Sequence, residues 1–427
     1  MKFVNYSMAF LCACLSLSTM AEEFSSKPET DVDNFISWLE SGESRVALGN
    51  FTSVGQAKDN DRLIFNRVDG GKTVGYSSTY IEGNYISPEI SKWQFGVGVH
   101  AHAKTWDLQD TYDEKYPDSQ DIYFTDSFLR YNFTEDLFLQ GGRFNVRNIA
   151  QRFDPNYGQG LYLHYKNEKF SVDIGAIDKL AYYYNDYVVD YTSADDQSQW
   201  GYNDDVDSTI YFAETTIQVT DKIKMNPYAY YQDQYVGWYG LDTTIQFHKT
   251  DTYEYGTKVF AYYLDAQEDS ENDDEGKGSF NYSINPFYHR EKWKFDLGYS
   301  KFGDNSKNNS PSWGYRYFTN VLYHDGGLGD IEIIDYNPLY GTKGTDIYFG
   351  RVGFHEEKWT LGFTAGLYTP EENDTYHNIW EFQFGGSYNL TEHLNFGGRL
   401  VNLTADERGG VSDQDANYFE TWINYVF

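Results

Sequence analysis

Phe419-Glu420-Thr421-Trp422-Ile423-Asn424-Tyr425-Val426-Phe427 ends the chain, and its alternation decides the fold. Successive side chains of a strand point to opposite faces, so Phe419, Thr421, Ile423, Tyr425 and Phe427 share one of them. The same pattern recurs upstream. Trp359, Leu361, Phe363, Ala365 and Leu367 alternate with Thr360, Gly362, Thr364 and Gly366. Trp380, Phe382, Phe384, Tyr388 and Leu390 leave Glu381, Gln383, Ser387 and Asn389 on the other side. An apolar outer face over a polar, wet interior is the pattern of a transmembrane barrel.

Between such runs sits a recurring tight, charged turn. It appears as Thr134-Glu135-Asp136, Asn167-Glu168-Lys169, Thr220-Asp221-Lys222, Glu291-Lys292, Glu356-Glu357-Lys358 and Thr391-Glu392-His393. The other connections are long, acidic and rich in turn residues. Short turns at one end and long loops at the other give an all-β, antiparallel, up-and-down barrel with periplasmic turns and extracellular loops.

Strands are expected at 44–54, 73–86, 93–106, 122–133, 137–147, 159–166, 170–180, 207–219 and 223–234. They continue at 236–248, 252–266, 279–290, 292–303, 343–354, 358–368, 377–390, 394–404 and 417–427. That is about eighteen, with sixteen still open because strand ends are read only to within a few residues. An even number returns both termini to the periplasmic side.

Composition agrees with a membrane wall. The chain has 41 Tyr, 30 Phe and 10 Trp against 4 Met, and aromatic rings with one wet edge populate both membrane interfaces. A mean hydropathy of −0.66 does not argue against this, because only every second residue of a barrel strand must be apolar. At the N-terminus, Lys2, the apolar Met8 to Leu17 and the small-residue site around Ala21 predict a signal peptide over 1–21. A lipobox at Cys12 or Cys14 is the rival reading. Residues 22–43 then form a short periplasmic segment, with the barrel over 44–427. The only two cysteines fall inside the leader, so neither a disulfide nor a Cys-ligated metal is expected. No cofactor is implied.

The net charge of −32 argues against a nucleic-acid partner. The acid concentrates in expected outer loops, Asp107 to Asp121, Asp195 to Asp207 and Glu268 to Glu275. Two readings follow: hydrated loops, or carboxylates that bind lipopolysaccharide through divalent cations.

Face assignment places a basic set in the lumen: Arg45, His100, His102, Lys104, Arg130, Arg143, Arg147 and Arg399. Barrel closure makes these strands near neighbours. The inward acids Asp173, Glu214, Asp242 and Asp296 oppose them, with Lys224, Lys258 and Lys294 interspersed. Such a wall sets a field across the pore or merely neutralises itself. Tyr182 to Tyr184 and Tyr228 to Tyr231 belong either to the interface belts or to an aromatic slide for sugar rings.

Asn34 to Gly42, then Phe128-Leu129-Arg130-Tyr131-Asn132-Phe133 and Leu137-Phe138-Leu139-Gln140-Gly141-Gly142-Arg143-Phe144, followed by Phe153-Asp154-Pro155-Asn156, resemble the OprD-like outer-membrane porins. The likeness is strongest over 34–160. It implies an 18-stranded porin passing small hydrophilic solutes such as amino acids, carboxylates, peptides or oligosaccharides, with Arg130, Arg143 and Arg147 as rungs of a basic ladder. The C-terminal column Phe419, Ile423, Tyr425 and Phe427 resembles the signal read by the outer-membrane barrel assembly machinery. The lipid-face pattern fits a monomer or a homotrimer.

Other classes are less well served. No Gly-x-Ser-x-Gly, His-Glu-x-x-His or phosphate loop accompanies His164, His289 or His355, so no catalytic or metal-ligating set is assigned. The short segment before the first strand leaves no room for the plug of an energised transporter. A non-conducting adhesive or structural barrel stays open, as does, less well supported, a barrel hydrolase. The stretch 304–342, with Gly326-Gly327-Leu328-Gly329-Asp330 and Asn337-Pro338, is too long for structureless filler. It either folds inward to narrow the lumen or extends above the membrane.

Overall fold

A computed structural model of the protein describes residues 37–57, 73–107, 122–146, 149, 157–181, 192–193, 209–232, 236–266, 279–301, 303, 344–369, 376–407 and 414–427. The expected leader, the acidic stretches 108–121, 195–207 and 268–275, Tyr182 to Tyr184, Arg147 and the 304–342 segment lie outside these residues.

The strands are β1 (Glu43–Ala57), β2 (Thr73–Ile86), β3 (Trp93–Asp107), β4 (Ile122–Thr134), β5 (Leu137–Asn145), β6 (Tyr157–Lys166) and β7 (Phe170–Ala181). A two-residue β8 (Thr192–Ser193), absent from the expected strands, adds to the edge of β7. Then come β9 (Ile210–Thr220), β10 (Ile223–Gln232), β11 (Val236–Lys249), β12 (Tyr253–Ala266), β13 (Ser279–Arg290) and β14 (Trp293–Lys301). The last are β15 (Asp346–His355), β16 (Trp359–Thr369), β17 (Tyr376–Asn389), β18 (Leu394–Glu407) and β19 (Gln414–Val426). Apart from β8, each pairs antiparallel with its neighbours in the chain, and β7 pairs directly with β9.

Closure comes from β1, which pairs with β2 on one side and β19 on the other, from Ala47↔Val426 to Ala57↔Ala416. Eighteen strands therefore close the barrel, the larger of the two counts, and no spanning edge is left open.

The tight turns share one end. Ser91 and Lys92, with φ of 51° and 73°, bring Ile90 and Trp93 together through two 2.8 Å backbone hydrogen bonds, a primed turn matched to the strand twist. The Asn167 side chain accepts from the Lys169 and Phe170 amides at 3.0 and 2.9 Å, and Thr391 caps His393 and Leu394 in the same way. Side-chain acceptors at fixed offsets are why these short polar segments turn where they do.

Alternation holds across the wall. On β16, Trp359, Leu361 and Phe363 are exposed on the outside while Gly362, Thr364 and Gly366 are buried inside. On β17, Trp380, Phe382 and Phe384 face out, with Glu381 and Gln383 buried inward. Outer aromatic residues gather near the turn end, where Trp93 meets Tyr131 at 4.8 Å and Trp359 meets Tyr388 at 4.3 Å. Below the wall, the helical turn at 37–40 tucks Trp38 against Phe95, and the Tyr85 hydroxyl donates to the Leu39 carbonyl at 2.7 Å.

Candidate functional site: the lumen wall

Directly opposed residues of an antiparallel pair share a face, so register assigns each charged side chain. Arg45 pairs with Asn84 on the inner face of β1–β2 and is exposed to the lumen. Arg130 lies inward on β4. Its Nε donates to Gln140 at 2.8 Å, its Nη1 to Gln94 at 3.2 Å, and its guanidinium stands 4.3 Å over the Phe138 ring and 5.3 Å from that of Phe128. Neutral amides and ring faces orient this cation without cancelling its charge. Among the described residues, neither Arg45 nor Arg130 has a carboxylate within ion-pair distance.

The remaining basic residues differ. His100 and His102 face inward but are only 1% and 5% exposed. His100 Nδ1 lies 3.7 Å from the Glu82 carboxylate and its ring stacks on Tyr80, so it is a wall component more than a rung. Arg399 is buried against Glu420. Lys104 sits in β3 opposite Ser78, and its side chain falls outside the described set.

Arg143 needs a correction. It pairs with Ser127 and Gln159 and donates from Nε to Gln159 at 3.3 Å, on the face opposite Gln140 and Phe144. Counting in twos from the outward Leu137 and Leu139 reaches Arg143, so strand parity places it on the outer face, away from Arg130. Gly142, at φ 122°, marks a backbone distortion beside it, and a Cβ there would collide with the Ser127 carbonyl.

All four expected acids, Asp173, Glu214, Asp242 and Asp296, lie on the inner face, but they are not bare. Arg351 Nη2 reaches Asp296 at 2.8 Å, and His289 bridges Asp296 at 3.3 Å and Glu254 at 3.1 Å. Lys249 also approaches Glu254, at 3.4 Å. His164 holds Asp173 at 2.7 Å, and the Tyr230 hydroxyl donates to Glu214. Formal charge therefore overstates the anionic field on this side, because low-dielectric pairing cancels much of it locally.

Tyr228 and Tyr230 also face inward, away from the outer belts. With Trp238, Tyr262 and Phe212 they form a ring cluster whose centroids lie 5.3 to 6.4 Å apart. Its members are nearly fully buried, so this wall is packed aromatic mass. Sequence reasoning misses Glu82, Gln94, Gln140 and Arg351, although alternation puts each on the inner face of its own strand. What it cannot supply is the partner across the ladder.

Eighteen closed antiparallel strands with an apolar outside and a charged, polar inside define a membrane-spanning β-barrel. Among solved structures, the chain is similar to Pseudomonas aeruginosa OprD, at 13% identity over 91% of this chain and 96% of that one, with a TM-score of 0.62. It is likewise similar to Pseudomonas aeruginosa OpdQ, at 14% identity over 91% and 98% with a TM-score of 0.64, and to Acinetobacter baumannii OccAB2, at 13% over 92% and 99% with 0.65. At such identities the likeness is one of fold. No protein-family model matches the chain, and no curated protein matches it in sequence.

Proposed function

We propose that this chain is an OprD-like outer-membrane porin through which small hydrophilic solutes diffuse passively, with carboxylate-bearing solutes favoured. One of the structures it resembles is that of an outer membrane protein, OprD. The observation that carries the solute preference is the lumen pair Arg45 and Arg130, the latter oriented by Gln94, Gln140 and two phenylalanine rings, neither with a carboxylate within ion-pair distance among the described residues. A moving carboxylate can exchange its water for these donors, whereas a cation finds the acids of the other wall already engaged.

The reading gives the chain no reaction to catalyse. It places the acidic loops toward lipopolysaccharide, through divalent cations, and gives the outward column Phe419, Ile423, Tyr425 and Phe427 to the assembly machinery. Single-channel current of the purified protein across a planar bilayer under a salt gradient tests it. Steady anion-favouring conductance, blocked by added carboxylates, is expected. A folded barrel that carries no current overturns the porin, and block by sugars alone overturns the carboxylate preference.

A further inference from the structure

Two aromatic rings of the inner wall lie across glycines and stay partly open to the lumen. The Tyr80 ring of β2 crosses Gly49 of β1, and the Trp422 ring of β19 crosses Gly397 of β18, so that an added Cβ at either glycine would collide with the ring. Phe128, Tyr228 and Phe349 cross Gly96, Gly240 and Gly298 in the same way but are buried, whereas Tyr80 and Trp422 are each half-buried. An asparagine holds the polar edge of both rings. The Tyr80 hydroxyl donates to Asn424 Oδ1 at 3.0 Å, and Trp422 Nε1 donates to Asn395 Oδ1 at 3.2 Å. Asn395 Nδ2 in turn donates to Asn389 Oδ1 at 2.6 Å. That leaves the Nδ2 groups of Asn424 and of the exposed Asn389 with no acceptor among the described residues. The two glycines stand two strands apart, roughly 10 Å, with Asn424 on the strand between.

Ring faces edged by amide donors suit a pyranose. The C–H groups on the flat side of a sugar are weakly positive and meet the negative face of an aromatic ring, while the hydroxyls around its rim accept from amides. A ringless carboxylate such as acetate has acceptors but no such face. Arg45 lies on the same face of β1, four residues from Gly49 toward the turn end and roughly 13 Å along the strand, a span that an arginine side chain and one sugar ring together cover. We infer a sugar-ring subsite on Tyr80 and Trp422, so that the solutes this lumen favours are sugar acids, with the ring on this platform and the carboxylate toward Arg45. The inference deepens the proposed function and rests on it for the carboxylate; the ring contact stands without it.

Saturation-transfer NMR of the protein in a sugar-free detergent, irradiating aromatic protons in the presence of methyl glucoside or glucuronate, tests the contact without needing current. The ring protons of both probes should take up saturation from the unsubstituted chain and lose most of it in Trp422→Ala. Asn389→Ala, at an exposed position where the fold is not at stake, should weaken the transfer several-fold. In planar bilayers, glucuronate should block the channel several-fold more strongly than acetate, and Trp422→Ala should remove most of that advantage. No transfer from the unsubstituted chain, transfer unchanged in both variants, or glucuronate block no stronger than that of acetate overturns the subsite. Transfer that depends on Trp422 in a barrel carrying no current upholds the subsite and overturns the porin reading instead.

Discussion

Arg130 and Arg143 belong to neighbouring strands and to the same stretch of family resemblance, yet they stand on opposite sides of the wall. Of the two, only Arg130 faces the lumen. A unit charge ~4 Å from the ion's path is worth about 1 kcal/mol in water-like surroundings. Arg130→Ala should therefore shift the reversal potential toward cations by a several-fold change in permeability ratio, while Arg143→Ala leaves it in place. Equal shifts for both variants would contradict the face assignment. Gly142 is a second residue whose role is steric: Gly142→Ala should cost about 1–3 kcal/mol, the range for strained backbone, read as a lower urea midpoint in detergent. Alternation makes side-chain faces legible at this scale. The bonds made across the ladder are not, because Gln140 meets Arg130 only once register is fixed, and register depends on turn geometry and bulges such as that between Val97 and Val99.

A strand of this wall has one face in hydrocarbon and one in the lumen, and the two faces should respond differently to the same change. Phe363→Arg on β16 puts a charge into the apolar band and should cost about 2–4 kcal/mol if the site lies near the bilayer midplane. Unfolding from liposomes measures it. The β18–β19 pair makes a complementary case. Glu420→Ala leaves Arg399 buried without its partner and should cost about 3–5 kcal/mol, and adding Arg399→Met should recover most of that loss. The strand spans themselves are legible because each apolar column is long and most of the tight turns carry Asn, Thr, Asp or Glu at the corner, the Ser91–Lys92 turn being an exception. The two-residue β8 escapes because Thr192–Ser193 has no pattern of its own and is held only by the edge of β7.

Eighteen strands make one continuous wall, and its lumen field is the sum of paired and unpaired charge. The unpaired part is screened by salt, with a Debye length of about 10 Å at 0.1 M and about 30 Å at 0.01 M. Anion preference should therefore grow as ionic strength falls, and a preference that does not move would show that the Arg45 and Arg130 strip does not reach the path. Closure itself was legible only as a count, since no local pattern states that β1 meets β19. That meeting sets a deadline on biogenesis. Ala47 lies beside Val426, so the ladder that closes the wall cannot form until β19 has been made. Until then, both margins of a growing sheet are templates for any passing strand. A truncated product lacking β19 would thus be worse than inactive: it would hold an open seam at each end, and the cell must either shelter it or destroy it.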